Sequence, residues 1–261
     1  MMHISNWIDH TILRPNLTIH EMIEFISLTR QYKFASICIP PSWLRWMRDR
    51  TDTPIGTVIG FPLGFTNSNQ KLFEIGQALC DGADEVDIVL NISNIVDENW
   101  DKVNEELNDL HGVRSNCIKK IIVETCYLTE QQLDMVTRLV ARYDFDYIKT
   151  STGFGSRGAS VRDIEIIKEA YRKGYKLKIK ASGGIKTLDD VQKFINLGCH
   201  RVGTSSAKTI CEAYDTNQKL TDSILKIVDT KSCTKDSCDC CGSQRCEDRK
   251  PSIECDDDDC M

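Results

Sequence analysis

A chain of 261 residues with 41% hydrophobic and 28% charged residues has room for a sizeable core and the balance of an ordinary globular protein. Its net charge of −6 sits mostly at one end: from Asp229 onward ten acidic residues stand against five basic ones. The first 228 residues are thus near neutral, which excludes a broad basic surface for nucleic acid or anionic membrane. No apolar run approaches a membrane span, and Met1-Met-His-Ile-Ser-Asn-Trp-Ile-Asp9 lacks the apolar core of a signal peptide. The expected location is cytoplasmic, with the 13 cysteines mostly reduced.

Eight short β-like segments follow one another: Trp7–Ile12, Ala35–Ile39, Gly56–Gly60, Glu85–Leu90, Lys120–Glu124, Tyr147–Thr150, Leu177–Ala181 and Arg201–Gly203. Most are followed by a helical pattern. Thr18-Ile-His-Glu21 and Thr129-Glu-Gln-Gln132 read as capping boxes. Ser160 and Thr187 are N-cap candidates, each with an aspartate three residues on. Gly82, Gly174 and Gly198 stand where helices should stop. Between the second segment and its helix, Pro40-Pro41 precedes Trp43 and Trp46, for which packing is the expected role. Alternating strands and helices predict a parallel sheet, and eight repeats predict a closed (β/α)8 barrel, an α/β fold. No G-x-G-x-x-G opens the first helix, which argues against a dinucleotide site.

The chemistry gathers on three segments. Asp146-Tyr-Ile-Lys-Thr-Ser-Thr-Gly-Phe-Gly155 puts Lys149 at the end of a buried strand. Lys176-Leu-Lys-Ile-Lys-Ala-Ser-Gly-Gly184 places Lys176, Lys178 and Lys180 on one face by the two-residue period of a strand. Glu85-Val-Asp-Ile-Val-Leu-Asn91 does the same with Glu85 and Asp87. Facing lysines disfavour each other's charge, and a neutral amine can attack a carbonyl. Lowering such a lysine by about 3 pKa units raises its neutral fraction near pH 7 about a thousandfold. Asp87 could then carry protons, or could merely neutralise a lysine. Gly183-Gly184 and Gly203-Thr-Ser-Ser206 let backbone N–H groups approach an anion after strands seven and eight, where barrels commonly hold phosphate.

Tyr147-Ile-Lys-Thr-Ser-Thr-Gly-Phe-Gly155, Lys180-Ala-Ser-Gly-Gly-Ile185, Gly82-Ala-Asp-Glu-Val-Asp87 and Ile8-Asp-His-Thr11 together resemble deoxyribose-phosphate aldolase, as do Cys38-Ile-Pro-Pro-Ser42 and Gly60-Phe-Pro-Leu-Gly64. The likeness runs from about Trp7 to about Ser206. It implies a metal-free, cofactor-free class I aldolase on a (β/α)8 barrel, splitting 2-deoxy-D-ribose 5-phosphate into D-glyceraldehyde 3-phosphate and acetaldehyde. By motif position it implies that Lys149 forms the Schiff base, that Lys180 lowers its pKa and that Asp87 relays protons. Thr152, Gly183, Gly184, Ser205 and Ser206 match substrate or phosphate contacts, and Cys38 a non-catalytic cysteine near the pocket. The implied partner is a small phosphorylated sugar, with self-association left open.

Three features depart from the pattern. Lys178 has no assigned role, and Glu85 or Glu124 is its expected partner. The chain ends without the tyrosine that some members use in proton transfer. Residues 229–261 hold seven cysteines and the acidic run Asp256–Asp259, are expected to be disordered, and divide the chain into a 1–228 barrel and a tail. The alternatives are another Schiff-base sugar-phosphate aldolase, or a metal- or thiol-binding protein working through Cys233, Cys238, Cys240, Cys241, Cys246, Cys255 and Cys260.

Overall fold

The computed structural model describes residues 2–113, 116–171 and 176–231, with side chains to 221. Residues Met1–Asn217 form one compact unit, and Gln218–Met261 are a second. Eight parallel strands close on themselves: β1 (Ile8–Thr11), β2 (Ser36–Cys38), β3 (Ile55–Ile59), β4 (Glu85–Val89), β5 (Ile118–Ile122), β6 (Tyr147–Lys149), β7 (Lys178–Ser182) and β8 (Arg201–Thr204). Closure is made by β1, which pairs with β2 through Asp9 and Ser36 and with β8 through Asp9 and Gly203. The expected (β/α)8 barrel is the observed fold.

The helices are α1 (Ile19–Gln31), α2 (Leu44–Arg48), α3 (Ser68–Cys80), α4 (Ile92–Val96), α5 (Trp100–His111), α6 (Glu130–Arg142), α7 (Val161–Ala170), α8 (Leu188–Asn196) and α9 (Ala207–Lys231). The start signals act as the sequence says. Thr18 with Glu21 and Thr129 with Gln132 form reciprocal capping boxes, and so do Ser160 with Asp163 and Thr187 with Asp190. Each box satisfies two N–H groups that a helix leaves without internal partners. Gly82 and Gly198 follow α3 and α8 at φ 95° and 94°, a backbone that side chains resist. Gly174 and the cysteine-rich segment from Cys233 lie outside the described residues, and the boundary expected at 228 falls within α9.

Two layers of apolar packing hold the barrel. Outward-facing strand residues such as Ile37, Ile88, Ile121, Ile148 and Ile179 are fully buried against helix residues such as Met22, Ile75, Leu107, Val136 and Ile167. Trp43 and Trp46 meet edge to face at 5.6 Å and pack on this core, as expected for that loop. Inside the barrel the lower layers are polar instead. Asp9, Glu85, Asp87, Lys120 and Lys180 are all at most 1% exposed, a concentration of buried charge that is costly unless its members pair.

Candidate active site

The strand registers decide which side chains meet. Lys149 on β6 lies level with Lys180 on β7, and Lys180 in turn with Arg201 on β8. On the other side Asp87 on β4 is level with Lys120 on β5. All these residues point inward, so the barrel axis becomes a stack of alternating charge.

Asp87 is its hub. Its Oδ2 accepts from Lys149 Nζ at 2.8 Å and from Lys180 Nζ at 2.8 Å, while Oδ1 accepts from Lys120 Nζ at 2.9 Å. Lys120 also donates to Glu85 at 2.5 Å. Lys180 Nζ sits 2.5 Å from Asp9 Oδ2, and Arg201 donates to Asp9 Oδ1 at 2.6 Å. Arg201 also lies 3.6 Å from Glu85.

These contacts set the charges. Burial pushes the Lys149 amine below its ordinary pKa; Asp87 pulls it back up, and the Lys180 ammonium pushes it down again, for a net lowering. A neutral amine still donates an N–H, so the contact with Asp87 survives deprotonation. The expectation that the two lysines depress each other holds in one direction only. Burial works against the Lys180 charge as well, but Asp87 and Asp9 outweigh it and hold Lys180 above the usual lysine range. Burial alone would raise Asp87; the cations Lys120, Lys149 and Lys180 hold it well below the usual carboxylate range.

Above this floor opens a cavity of about 460 Å³ into which Lys149 projects, together with Thr152, Gly183, Gly184 and Ser205. Gly183 and Gly184 are left-handed at φ 82° and 74°. A Cβ on Gly158 would fall 2.0 Å from the Gly183 carbonyl oxygen, so glycines are required where these two loops cross. Arg14, paired with Glu21, and Lys186 also line this cavity. Ser206 is not part of this lining; its N–H donates to Thr204 Oγ1 at 2.9 Å and its carbonyl accepts from Ile210 in the first turn of α9. Cys38, Asp87 and Lys180 lie beneath the cavity surface rather than on it. Burial holds the Cys38 thiol up at about 11, too high for a nucleophile at neutral pH.

A second cavity, about 570 Å³, shares Thr152 and Phe154 with the first but does not reach Lys149. Phe154 meets Phe61 edge to face at 5.3 Å. Lys149 makes the smaller cavity the candidate site.

Lys178 departs from expectation. It is exposed at the lower end of β7, with its ammonium 5.5 Å from the centre of the Tyr147 ring. Neither carboxylate considered for it is its partner. Glu85 is taken by Lys120 and Arg201, and Glu124 accepts from both the N–H and the hydroxyl of Thr152. Glu124 is itself left-handed at φ 50°, a backbone strain that turns its carboxylate onto the Thr152 loop.

Lys120 and Arg201 carry contacts that no motif in the sequence assigned, while Asp9 stood only within Ile8-Asp-His-Thr11 and Glu124 only as an expected partner of Lys178. The two-residue alternation within Ile118-Lys-Lys-Ile-Ile122 was the signal for Lys120, since one of two adjacent lysines in a buried strand must face inward.

Comparisons with known proteins agree with this geometry. The model of the DeoC/LacD family aldolases matches residues 4–212. The deoxyribose-phosphate aldolase of Clostridium botulinum (strain Alaska E43 / Type E3) is 42% identical over 215 residues, spanning 82% of this chain and 96% of that protein. A solved aldolase named QR15 superposes with a TM-score of 0.79 at 33% identity, over 84% of this chain and 99% of its own. The tetrameric deoxyribose phosphate aldolase of Aeropyrum pernix superposes with a TM-score of 0.74 at 25% identity, over 81% of this chain and 91% of its own. The Lys149 strand end, its charged floor and the matched length lead to one conclusion: this chain belongs to the DeoC/LacD family of aldolases.

Proposed function

We propose that this chain reversibly cleaves 2-deoxy-D-ribose 5-phosphate to D-glyceraldehyde 3-phosphate and acetaldehyde through a Schiff base on Lys149. The observation that carries this is the buried Lys149 amine, held below its ordinary pKa, at the floor of a cavity that Gly183, Gly184 and Ser205 also line. A lysine with those properties is a carbonyl nucleophile; the glycine and serine loops fit a phosphate.

The steps follow from the layout. Lys149 Nζ attacks the C1 aldehyde of the open-chain sugar, and loss of water gives the iminium. Removal of the C3 hydroxyl proton breaks the C2–C3 bond, whose electron pair moves into the iminium to form an enamine. The C3 fragment leaves as D-glyceraldehyde 3-phosphate. Protonation of C2 and attack of water on the iminium then release acetaldehyde and restore the amine. Asp87 and Lys180, hydrogen-bonded to each other and adjacent to Lys149, are the groups in place to pass these protons. The three surrounding lysines keep Asp87 ionised, so it enters the reaction as a proton acceptor. Thr152 positions the sugar, and Gly183, Gly184 and Ser205 take the phosphate, with Ser206 starting the helix behind them.

A cytoplasmic location is part of this proposal; no helix of the described residues is long and apolar enough to cross a membrane. The Aeropyrum pernix relative is a tetramer by its own name, and a homo-oligomer is the corresponding proposal here. The test is product analysis with purified protein. Deoxyribose 5-phosphate should yield acetaldehyde, whereas fructose 1,6-bisphosphate should give no triose. The reverse preference would replace this substrate with another sugar phosphate.

A further inference from the structure

The barrel interior holds three carboxylates, Asp9, Glu85 and Asp87, against four basic groups, Lys120, Lys149, Lys180 and Arg201. All eight strands of the barrel contribute residues to this interior. β1 supplies Asp9, β2 the neutral thiol of Cys38, and β3 only Gly56 and Val58, level with Glu85 and Asp87. β4 gives Glu85 and Asp87, β5 Lys120, β6 Tyr147 and Lys149, β7 Lys180 and β8 Arg201. The partners are shared unequally. Asp9 is engaged by Lys180 and Arg201 and, at 3.7 Å, by Lys120, and Glu85 by Lys120 and Arg201. Only Asp87 remains for Lys149, and two other ammonium groups already hold it.

We propose that Lys120, anchored by Glu85, is a positioning residue for the Schiff-base amine. It occupies the Oδ1 side of Asp87, so that Lys120, Lys180 and Arg201 match the three carboxylates and Lys149 is the cation left without a counter-charge. This deepens the proposed function and rests on Lys149 being the nucleophile. The neutral amine is then set by the stoichiometry of the whole layer, not by Lys180 alone. Lys120 and Arg201 are both held above their ordinary pKa, each against its burial: Asp87, Asp9 and Glu85 do so for Lys120, and Asp9 and Glu85 for Arg201. Both therefore keep their charge across the working range, as the count requires.

Because the charges are linked through shared carboxylates, opposite substitutions must act oppositely. Glu85→Gln removes one carboxylate from the layer and leaves Lys120 to Asp87 and Asp9, which weakens the hold of Asp87 on Lys149. Lys120→Met leaves Asp87 and Glu85 under-neutralised, and Asp87 then favours an ammonium at Lys149.

The experiment measures kcat/KM against pH for deoxyribose 5-phosphate cleavage, with borohydride trapping and peptide mapping on each protein. The acidic limb should move up by about one pH unit in Lys120→Met, a roughly tenfold loss of rate at fixed acidic pH. It should move down in Glu85→Gln and return close to the original in the Glu85→Gln/Lys120→Met double variant. A merely structural role would lower rates without moving the limb in opposite directions. If Lys120→Met fails to fold, the near-isosteric Glu85→Gln decides alone. An unmoved limb in Glu85→Gln, with Lys149 still trapped, overturns the proposal and leaves the proposed function standing. Absence of a Lys149 adduct in the unsubstituted protein overturns both.

Discussion

At the scale of single residues, two buried groups outside the lysine pair carry measurable consequences. Asp87 accepts from three lysines, so Asp87→Asn should cut kcat by about a hundredfold or more while changing KM little, the signature of proton transfer after binding. A rise in KM with unchanged kcat would make Asp87 a binding residue instead. His10 lies stacked on Phe25 at 4.0 Å, and burial lowers its pKa from 6.5 to about 3. A group depressed in the folded state contributes stability above its unfolded pKa, and that stability is lost as pH falls toward the folded value. Below roughly pH 6.5 the protein should therefore lose about 1.4 kcal/mol of unfolding free energy per pH unit from this residue. His10→Phe keeps the stacking and should remove that slope in urea titrations at a series of pH values. An identical slope in both proteins would show that His10 is protonated in the fold.

At the scale of elements, the helix starts were legible because their signals are local. A capping box is four residues of sequence satisfying their own backbone, and no distant contact is needed to read it. The α7 box carries more than its motif shows. Asp163 caps Ser160, accepts from Thr125 Oγ1 at 2.8 Å and pairs with Arg157 at 2.6 Å, tying the loops after β5 and β6 together. Ser160→Ala should cost about 1 kcal/mol in urea denaturation, and Asp163→Ala roughly 2–3 kcal/mol, because it strands several donors at once. Equal costs would reduce Asp163 to a helix cap. Strand ends were less legible. The fifth segment, expected at Lys120–Glu124, is observed at Ile118–Ile122, because Glu124 has already turned left-handed to hold Thr152. Lys178 was placed correctly by parity, but it stands at the rim, where parity no longer means burial. Which of Lys119 and Lys120 faces inward depends on the register with Asp87, and that pairing is 33 residues away in the chain.

At the scale of the whole molecule, eight repeats and the Lys149, Lys180 and Asp87 segments were enough to anticipate a barrel with a nucleophilic amine at its mouth. The charge count that keeps this amine neutral was not legible, since it depends on closing β1 onto β8 and so on Asp9 meeting Arg201. The chemistry as laid out uses residues no later than Ser206. A chain stopped after Asp229 should therefore fold and keep most of its aldolase turnover, checked by circular dichroism and an acetaldehyde assay. Folding without turnover would place part of 230–261 in the reaction. The most direct test of the central claim is borohydride reduction of the protein with acetaldehyde, followed by peptide mapping. The account predicts loss of activity with one N-ethylated lysine, at Lys149. Modification confined to Lys180 or Lys120, or reduction that leaves activity intact, would contradict it.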